Sequence, residues 1–461
     1  MNGGFRADRR KVVLALGASA AAAGCRVLSP GPLDEAPRWF DPEAPRPPVI
    51  FVHGAFGSRL RDRRSGREIW PQDLGVLLVS SFDRLALEID PETGDAAPDD
   101  VFADDLFEHA GTVEFYGSLV TMLVEAGGYR RESAGTPVER GPARLYALVY
   151  DWRRDFSRAA AELDALIEQV RADHGDPGLK VDLVAHSSGG LVARYFLLYG
   201  ARTLDEGLAT PDFSGAAKVR RVAAIGVPEL GIARAVAALV EGEPVVLNRV
   251  YPEVLATAHS TFQLLPHGDD VWLLDAGGRP IPGDSCDPQL WREYRMSVFD
   301  PSLRARVRDH AGSRRVGRAR LELLEKGFHF RLQRARLLRE ALRAAPVPAA
   351  VAYHSIGGDC RPTQARVLLE RAAGDWRART RPEDVHWRSP HLDYPALMLE
   401  GGDGTVTRAS ASCAPGWPAS TVPPPPPAEN WVGQDFVCAS HNQLVVNTDC
   451  QRALLRALGP A

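Results

Sequence analysis

An α/β architecture, with a mostly parallel central sheet flanked by helices, is predicted by three observations. From about residue 49 to 240, short apolar runs that break at glycine alternate with stretches of helical periodicity. The stretch "VDLVAHSSGGLVARY" (181–195) passes from a buried strand to a helix through two serines and two glycines. Strand-like segments then return in "AAVAYHSIGG" and "NWVGQDFVCASH", and "QLVVNTDCQRALLRALG" reads as a closing amphipathic helix.

The elements follow in chain order. Residues 1–24 have the layout of a bacterial export signal: basic Arg6, Arg9, Arg10 and Lys11, an apolar stretch from Val12, then small residues up to Cys25. The paired arginines resemble a twin-arginine signal. "AAGC" resembles a lipoprotein box with Cys25 as the lipidated residue, although Ala22 stands where a larger aliphatic side chain is usual. A plain cleaved signal is the competing reading. Residues 25–46 are proline-rich and aperiodic, a tether, and 47–461 make the folded domain. "PPVIFVHGAFGSRL" gives its first buried strand, "RLYALVYDWRRD" a second, and "FSRAAAELDALIEQVRADHG" a helix ending on glycine. "KVRRVAAIGVPELGIARAVAAL" supplies a further strand, turn and helix. The alternation then stops, and residues of about 230–345 are read as a largely helical cap insertion.

Composition narrows the partners. With 461 residues, 45% hydrophobic and 25% charged, the chain can bury a sizeable core. A net charge of −4 gives no reason to expect nucleic acid. Residues 301–345 stand apart, with 12 arginines and 1 lysine against 1 aspartate and 3 glutamates. Such a basic cap either seats the protein on anionic lipid or is a solvated helix face. Apart from Cys25 there are five cysteines, Cys286, Cys360, Cys413, Cys438 and Cys450, so at least one is free or pairs between chains. Several lie near the C-terminal loops, where a disulfide would brace long connections. None has metal-ligand spacing, and neither metal nor cofactor is expected.

The chemistry centres on the serine pair. A serine on a sharp strand-to-helix turn is how the α/β-hydrolase fold presents a nucleophile, and the turn needs small residues two before and two after it. Ser187 has Ala185 and Gly189 there; Ser188 has His186 on one side, which would crowd the turn. Ser187 is therefore the candidate nucleophile. Such a serine needs a base and a carboxylate that orients the base. "EGGDGTVTRAS" places Asp403 in a glycine turn, and "CASHNQLVV" places His441 after the last strand, which gives the order serine, acid, histidine. For the oxyanion hole, the backbone N–H of Ser188 and that of Ala55 in "HGAFGS" are the candidates. Asp151 precedes the nucleophile and is read as structural or substrate-positioning, and Asp435 as structural. His53 and His186 are read as local hydrogen-bonding groups; His354, His386 and His391 lack a preceding terminal strand and are weaker candidates than His441.

Taken together, "HGAFGSRL", "VYDWRRD", "LVAHSSGGLVARY", "GDGTVTRASASC" and "HNQLV" resemble segments of the lecithin:cholesterol acyltransferase family, over residues 47–459. Two departures are His53, where proline is common, and Ser188, where methionine or leucine is usual. The resemblance implies the triad Ser187, Asp403 and His441, and a lipid acyl ester as substrate, with the acyl group passing through serine to water or to an alcohol. It also makes Phe56, Trp70 and Trp152 candidates for lining the acyl pocket. An exported or lipid-anchored, membrane-associated esterase, lipase or phospholipase is the expectation. A catalytically silent hydrolase-fold lipoprotein that binds lipid or a protein partner is the alternative.

Overall fold

A computed structural model describes residues 46–71, 82–110, 113–139, 141–245, 248–268, 271–372, 374–412 and 431–459. The export signal of 1–24, Cys25, the tether up to residue 45, Cys413 and the proline run of 423–427 lie outside these residues.

Seven strands build the central sheet: β1 (Val49–Val52), β2 (Arg130–Arg131), β3 (Arg144–Leu148), β4 (Val181–His186), β5 (Val219–Ile225), β6 (Ala352–Gly358) and β7 (Trp431–Val437). Their spatial order is β2-β3-β1-β4-β5-β6-β7, and every neighbouring pair is parallel. Apolar side chains sit on both faces because helices cover both. Ile50, Val52, Leu183 and Ala185 pack into one buried cluster, while Val49, Phe51 and Val184 pack into the other, the period-2 alternation of a strand. The first face is covered by α2 (Phe156–Asp173) and α3 (Ser188–Tyr199), the second by α1 (Gly117–Glu125) and α8 (Thr448–Leu458). Helix α2 starts where Asp155 caps it, accepting from the N–H of Ser157, and buries Ala159, Ala160, Leu163, Ile167 and Val170 at helical spacing.

Between β5 and β6 the chain forms α4 (Ala233–Glu241), α5 (His259–Gln263), α6 (Pro301–Asp309) and the long α7 (Arg314–Arg343). Where the sequence places one insertion at about 230–345, the structure builds this region from two segments. Residues 359–402, between β6 and the acid loop, contribute strands Val367–Ala372 and Asp375–Arg379. The first of these pairs in parallel with Leu273–Asp275. Val367 and Leu369 share a buried cluster with Val236, Phe262, Trp291 and Phe328. The second segment is polar enough on its outer strand to read as loop, and only long-range pairing makes it a sheet.

The arginine excess of 301–345 divides in two. Arg304 pairs with Glu325, Arg306 with Glu253 (2.7 Å), Arg334 with Asp155 (2.8 Å) and Arg339 with Asp284 (2.7 Å). Buried Arg331 donates to the carbonyl of Thr257 at 2.6 Å. Arg334 fastens the insertion to the start of α2, and the other contacts brace the insertion internally. Arg314, Arg315, Arg318 and Arg320, around the turn from α6 into α7, are exposed and have no ion-pair partner among the described residues.

Candidate active site

The site lies at the C-terminal ends of β1, β4 and β7, where ligands gather in parallel sheets. Ser187 joins β4 to α3 with φ 54° and ψ −132°, a backbone conformation that a non-glycine residue adopts only when its surroundings enforce it. Its N–H is held by the carbonyl of Ile225 at 2.8 Å, and its carbonyl accepts from Gly190 at 2.9 Å. The small flanks are a steric necessity. A Cβ on Gly189 would stand 2.3 Å from the carbonyl oxygen of Val52 and 2.5 Å from that of His53. Ala185 is completely buried between the β1 and β5 strands.

His441 follows β7 and Asp403 follows the short strand Leu399–Gly402. That strand pairs with Arg361–Gln364 outside the central sheet, so the acid arrives by a detour that the sequence does not announce. The apolar "YPALM" ahead of it is a short helix, Tyr394–Met398. Asp403 Oδ2 lies 2.8 Å from His441 Nδ1, and His441 Nε2 lies 2.9 Å from Ser187 Oγ. Asp403 Oδ1 accepts from the N–H groups of Thr405 (2.9 Å) and Val406 (2.7 Å), and its carbonyl accepts from the N–H of His441 at 2.8 Å. Burial alone would raise the Asp403 carboxyl, but His441 and the two N–H donors outweigh it and hold it below the usual range. An ionised Asp403 accepts a hydrogen bond from the Nδ1–H of His441, which leaves Nε2 as the acceptor for the hydroxyl of Ser187.

The loop bearing Ala55 touches Ser187: a Cβ on Gly54 would stand 2.7 Å from Cβ of Ser187. Neither the N–H of Ala55 nor that of Ser188 meets an acceptor among the described residues. Phe56, next along, has φ 61°, and its carbonyl accepts from Trp70 Nε1 at 3.0 Å. The ring of Phe56 lies 5.1 Å from that of Trp70 and 4.2 Å from that of Trp152, so the three aromatics form one cluster beside the loop.

The other candidates fall elsewhere. Asp151 binds Arg153 at 2.7 Å; Arg153 and Arg154 both reach Asp99, tying the 95–99 strap to the end of β3. His354 pairs with Asp435 at 2.9 Å. The backbone of His386 donates to Glu370, and no contact joins His386 or His391 to Ser187 among the described residues. His53 donates from Nδ1 to the carbonyl of Gly54 (2.8 Å) and stacks on Tyr150, and burial pushes its pKa down to about 4. Among the described residues, no group of three His, Cys, Asp or Glu could hold a metal ion.

Sequence reasoning missed two features. One is Tyr116, at the entry to α1, which carries no motif. The other is the pairing of the Cys360–Cys438 disulfide. It joins the end of β6 to the loop leading into His441, next to Arg361, whose backbone forms a β-bridge with that of Asp403. Cys286 and Cys450 are buried free thiols. Reducing the disulfide, or Cys438→Ser, is expected to cost about 2–4 kcal/mol of stability and to slow turnover through a looser His441 loop. Thermal melts and ester assays with and without reductant check this; unchanged values in both would overturn it.

Parallel sheet, elbow and hydrogen-bonded serine, histidine and aspartate define an α/β-hydrolase-fold protein. Residues 108–309 match the model of the lecithin:cholesterol acyltransferase family, the family that the motifs resemble. The match includes Ser187 and "YDWRRD" and stops short of Asp403 and His441. The lysosomal phospholipase A and acyltransferase of Canis lupus familiaris is 24% identical over 310 residues, 66% of this chain and 58% of that protein. The chain therefore covers little more than half the length of that relative. Among solved structures, a chain of the Tle4–Tli4 complex superposes with a TM-score of 0.56 at 16% identity, covering 90% of this chain and 98% of that one. A mature Bacillus licheniformis lipase gives 0.35 at 12% identity, covering 91% and 95%.

Proposed function

We propose that this protein is an exported acyl-ester hydrolase or acyltransferase that acts on lipid esters through an acyl-enzyme on Ser187. The observation that carries the proposal is the continuous series Asp403–His441–Ser187 at 2.8 and 2.9 Å. Ser187 Oγ attacks the ester carbonyl carbon as its proton passes to His441 Nε2. The carbonyl oxygen, now an anion, is held by the N–H groups of Ala55 and Ser188. Collapse breaks the bond to the alcohol oxygen, which leaves with the proton from His441. Water or an alcohol then gives its proton to the same nitrogen and attacks the acyl carbon; collapse breaks the acyl–Oγ bond, and Ser187 Oγ leaves with the proton returned by His441. Asp403 stays ionised throughout and stabilises the imidazolium.

Family likeness and the phospholipase relative support a lipid substrate, and the cluster of Phe56, Trp70 and Trp152 offers an apolar wall for the acyl chain. The disulfide supports an oxidising compartment, in keeping with the export signal. Membrane association rests on Cys25 and on the unpaired arginines of the α6–α7 turn. No described helix is long and apolar enough to cross a membrane.

Product analysis on phosphatidylcholine vesicles, with and without an added long-chain alcohol and with and without anionic lipid, tests the proposal. Free fatty acid or alkyl ester is expected from the wild type, faster on anionic vesicles, and neither from Ser187→Ala. No product from any ester or lipid would favour the silent lipid-binding alternative. Cys25→Ser is expected to move the protein out of the membrane fraction.

A further inference from the structure

We propose that Tyr116 is a positioning residue that locks the oxyanion loop, the nucleophile elbow and the base loop into one hydrogen-bonded unit; this rests on the function proposed above. Tyr116 is 1% exposed, and its hydroxyl lies where two segments of the site meet. The N–H of Gly54 donates to Tyr116 Oη at 3.0 Å, and His186 Nδ1 lies 2.8 Å from the same oxygen. His186 immediately precedes the nucleophile, and its Nε2 lies 3.4 Å from the carbonyl of His441. The edge of the phenol ring also fills the space beside Gly57, where a Cβ would stand 2.8 Å from Tyr116 Cε2.

The directions of these bonds are fixed by counting protons. The phenol has one proton, and Gly54 already donates into its oxygen. If His186 carried its proton on Nδ1, that N–H would point at an oxygen whose own proton has no acceptor. Its bare Nε2 would then face the lone pairs of the His441 carbonyl. With the proton on Nε2, every group is used: Gly54 N–H to Tyr116, Tyr116 O–H to His186 Nδ1, and His186 Nε2–H to the carbonyl of His441. Burial, reinforced by the neighbouring His441, pushes the pKa of His186 down to about 3, so the ring holds a single proton across the working range.

Each end of this chain adjoins a working atom. Gly54 precedes Ala55, whose N–H faces the developing oxyanion, so the Tyr116 hydroxyl holds the His53–Gly54 peptide, the one directly before the peptide that carries that donor. At the other end the chain holds the backbone of the catalytic base itself. The gain is preorganisation: the donors stand in place before charge develops. Tyr116 touches neither substrate nor reacting atoms.

The test compares Tyr116→Phe, His186→Leu and the double variant, with active sites titrated by a fluorophosphonate and turnover followed on a soluble nitrophenyl ester. Tyr116→Phe is expected to lower kcat about 10- to 100-fold, less than the loss of a whole oxyanion donor, with KM within about twofold. Binding of a trifluoromethyl ketone, which mimics the tetrahedral state, is expected to weaken by the same factor. His186→Leu should match it, and the double variant should be no worse than either, because all three break one chain. A kcat per titrated site equal to wild type in Tyr116→Phe, whatever its melting temperature, would overturn the proposal. So would losses that multiply in the double variant. A wild type inert toward ester and probe alike would instead sink the proposed function, and this inference with it.

Discussion

Ser187→Ala is expected to abolish ester turnover, a loss of roughly 10⁴- to 10⁶-fold, while Ser188→Ala stays within a few-fold of wild type. The reasoning is atomic. Ser187 Oγ is the atom that His441 Nε2 approaches at 2.9 Å, and alanine removes it while keeping the strained φ of 54°. Ser188 is fully buried at the first position of α3. Its proposed role belongs to the N–H, which alanine keeps. A fluorophosphonate should label wild type and Ser188→Ala, and leave Ser187→Ala untouched. Comparable losses in both variants would mean that the elbow is read in the wrong register.

The elbow was legible because its constraint, imposed by the carbonyls of Val52 and His53, leaves its mark within five consecutive residues. Small residues are needed wherever two strand ends press on a turn, and Ala185 and Gly189 record that pressure in the sequence. The order of Asp403 and His441 was legible for a related reason, since each stands in a short glycine- or serine-bearing loop next to an apolar run. Tyr116 was not legible. It lies 62 residues from Gly54 and 70 from His186, and nothing in "FYGSL" marks a tyrosine whose hydroxyl serves partners so remote. The same limit hid the second segment of the insertion and the disulfide, both of which depend on contacts between distant parts of the chain. Charge was half legible: composition shows the arginine excess of 301–345, but only tertiary contacts separate the arginines bound to Glu253, Asp155 and Asp284 from those left at the α6–α7 turn.

Asp403→Asn is expected to lower kcat by about 10⁴-fold with little change in KM, because it reverses the tautomer of the base without disturbing the fold. Asp403 uses its two oxygens differently: Oδ1 accepts from Thr405 and Val406, and Oδ2 faces His441 Nδ1. An asparagine must keep its carbonyl oxygen on the two backbone N–H groups, since turning its amide toward them would set donor against donor. Its NH₂ then faces His441, which can accept only by moving its proton to Nε2. The nitrogen 2.9 Å from Ser187 would become a donor, unable to take the hydroxyl proton. The variant also loses the negative charge that stabilises the imidazolium, so restoring the tautomer by rotation of the ring would recover only part of the rate. Asp403→Ala separates the two effects, because it leaves His441 free to choose its tautomer while the charge is still missing. Turnover of Asp403→Ala above that of Asp403→Asn, with both proteins melting close to each other, is the expected pattern. Equal and mild losses in the two would show that Asp403 holds the loop and takes no part in setting the base.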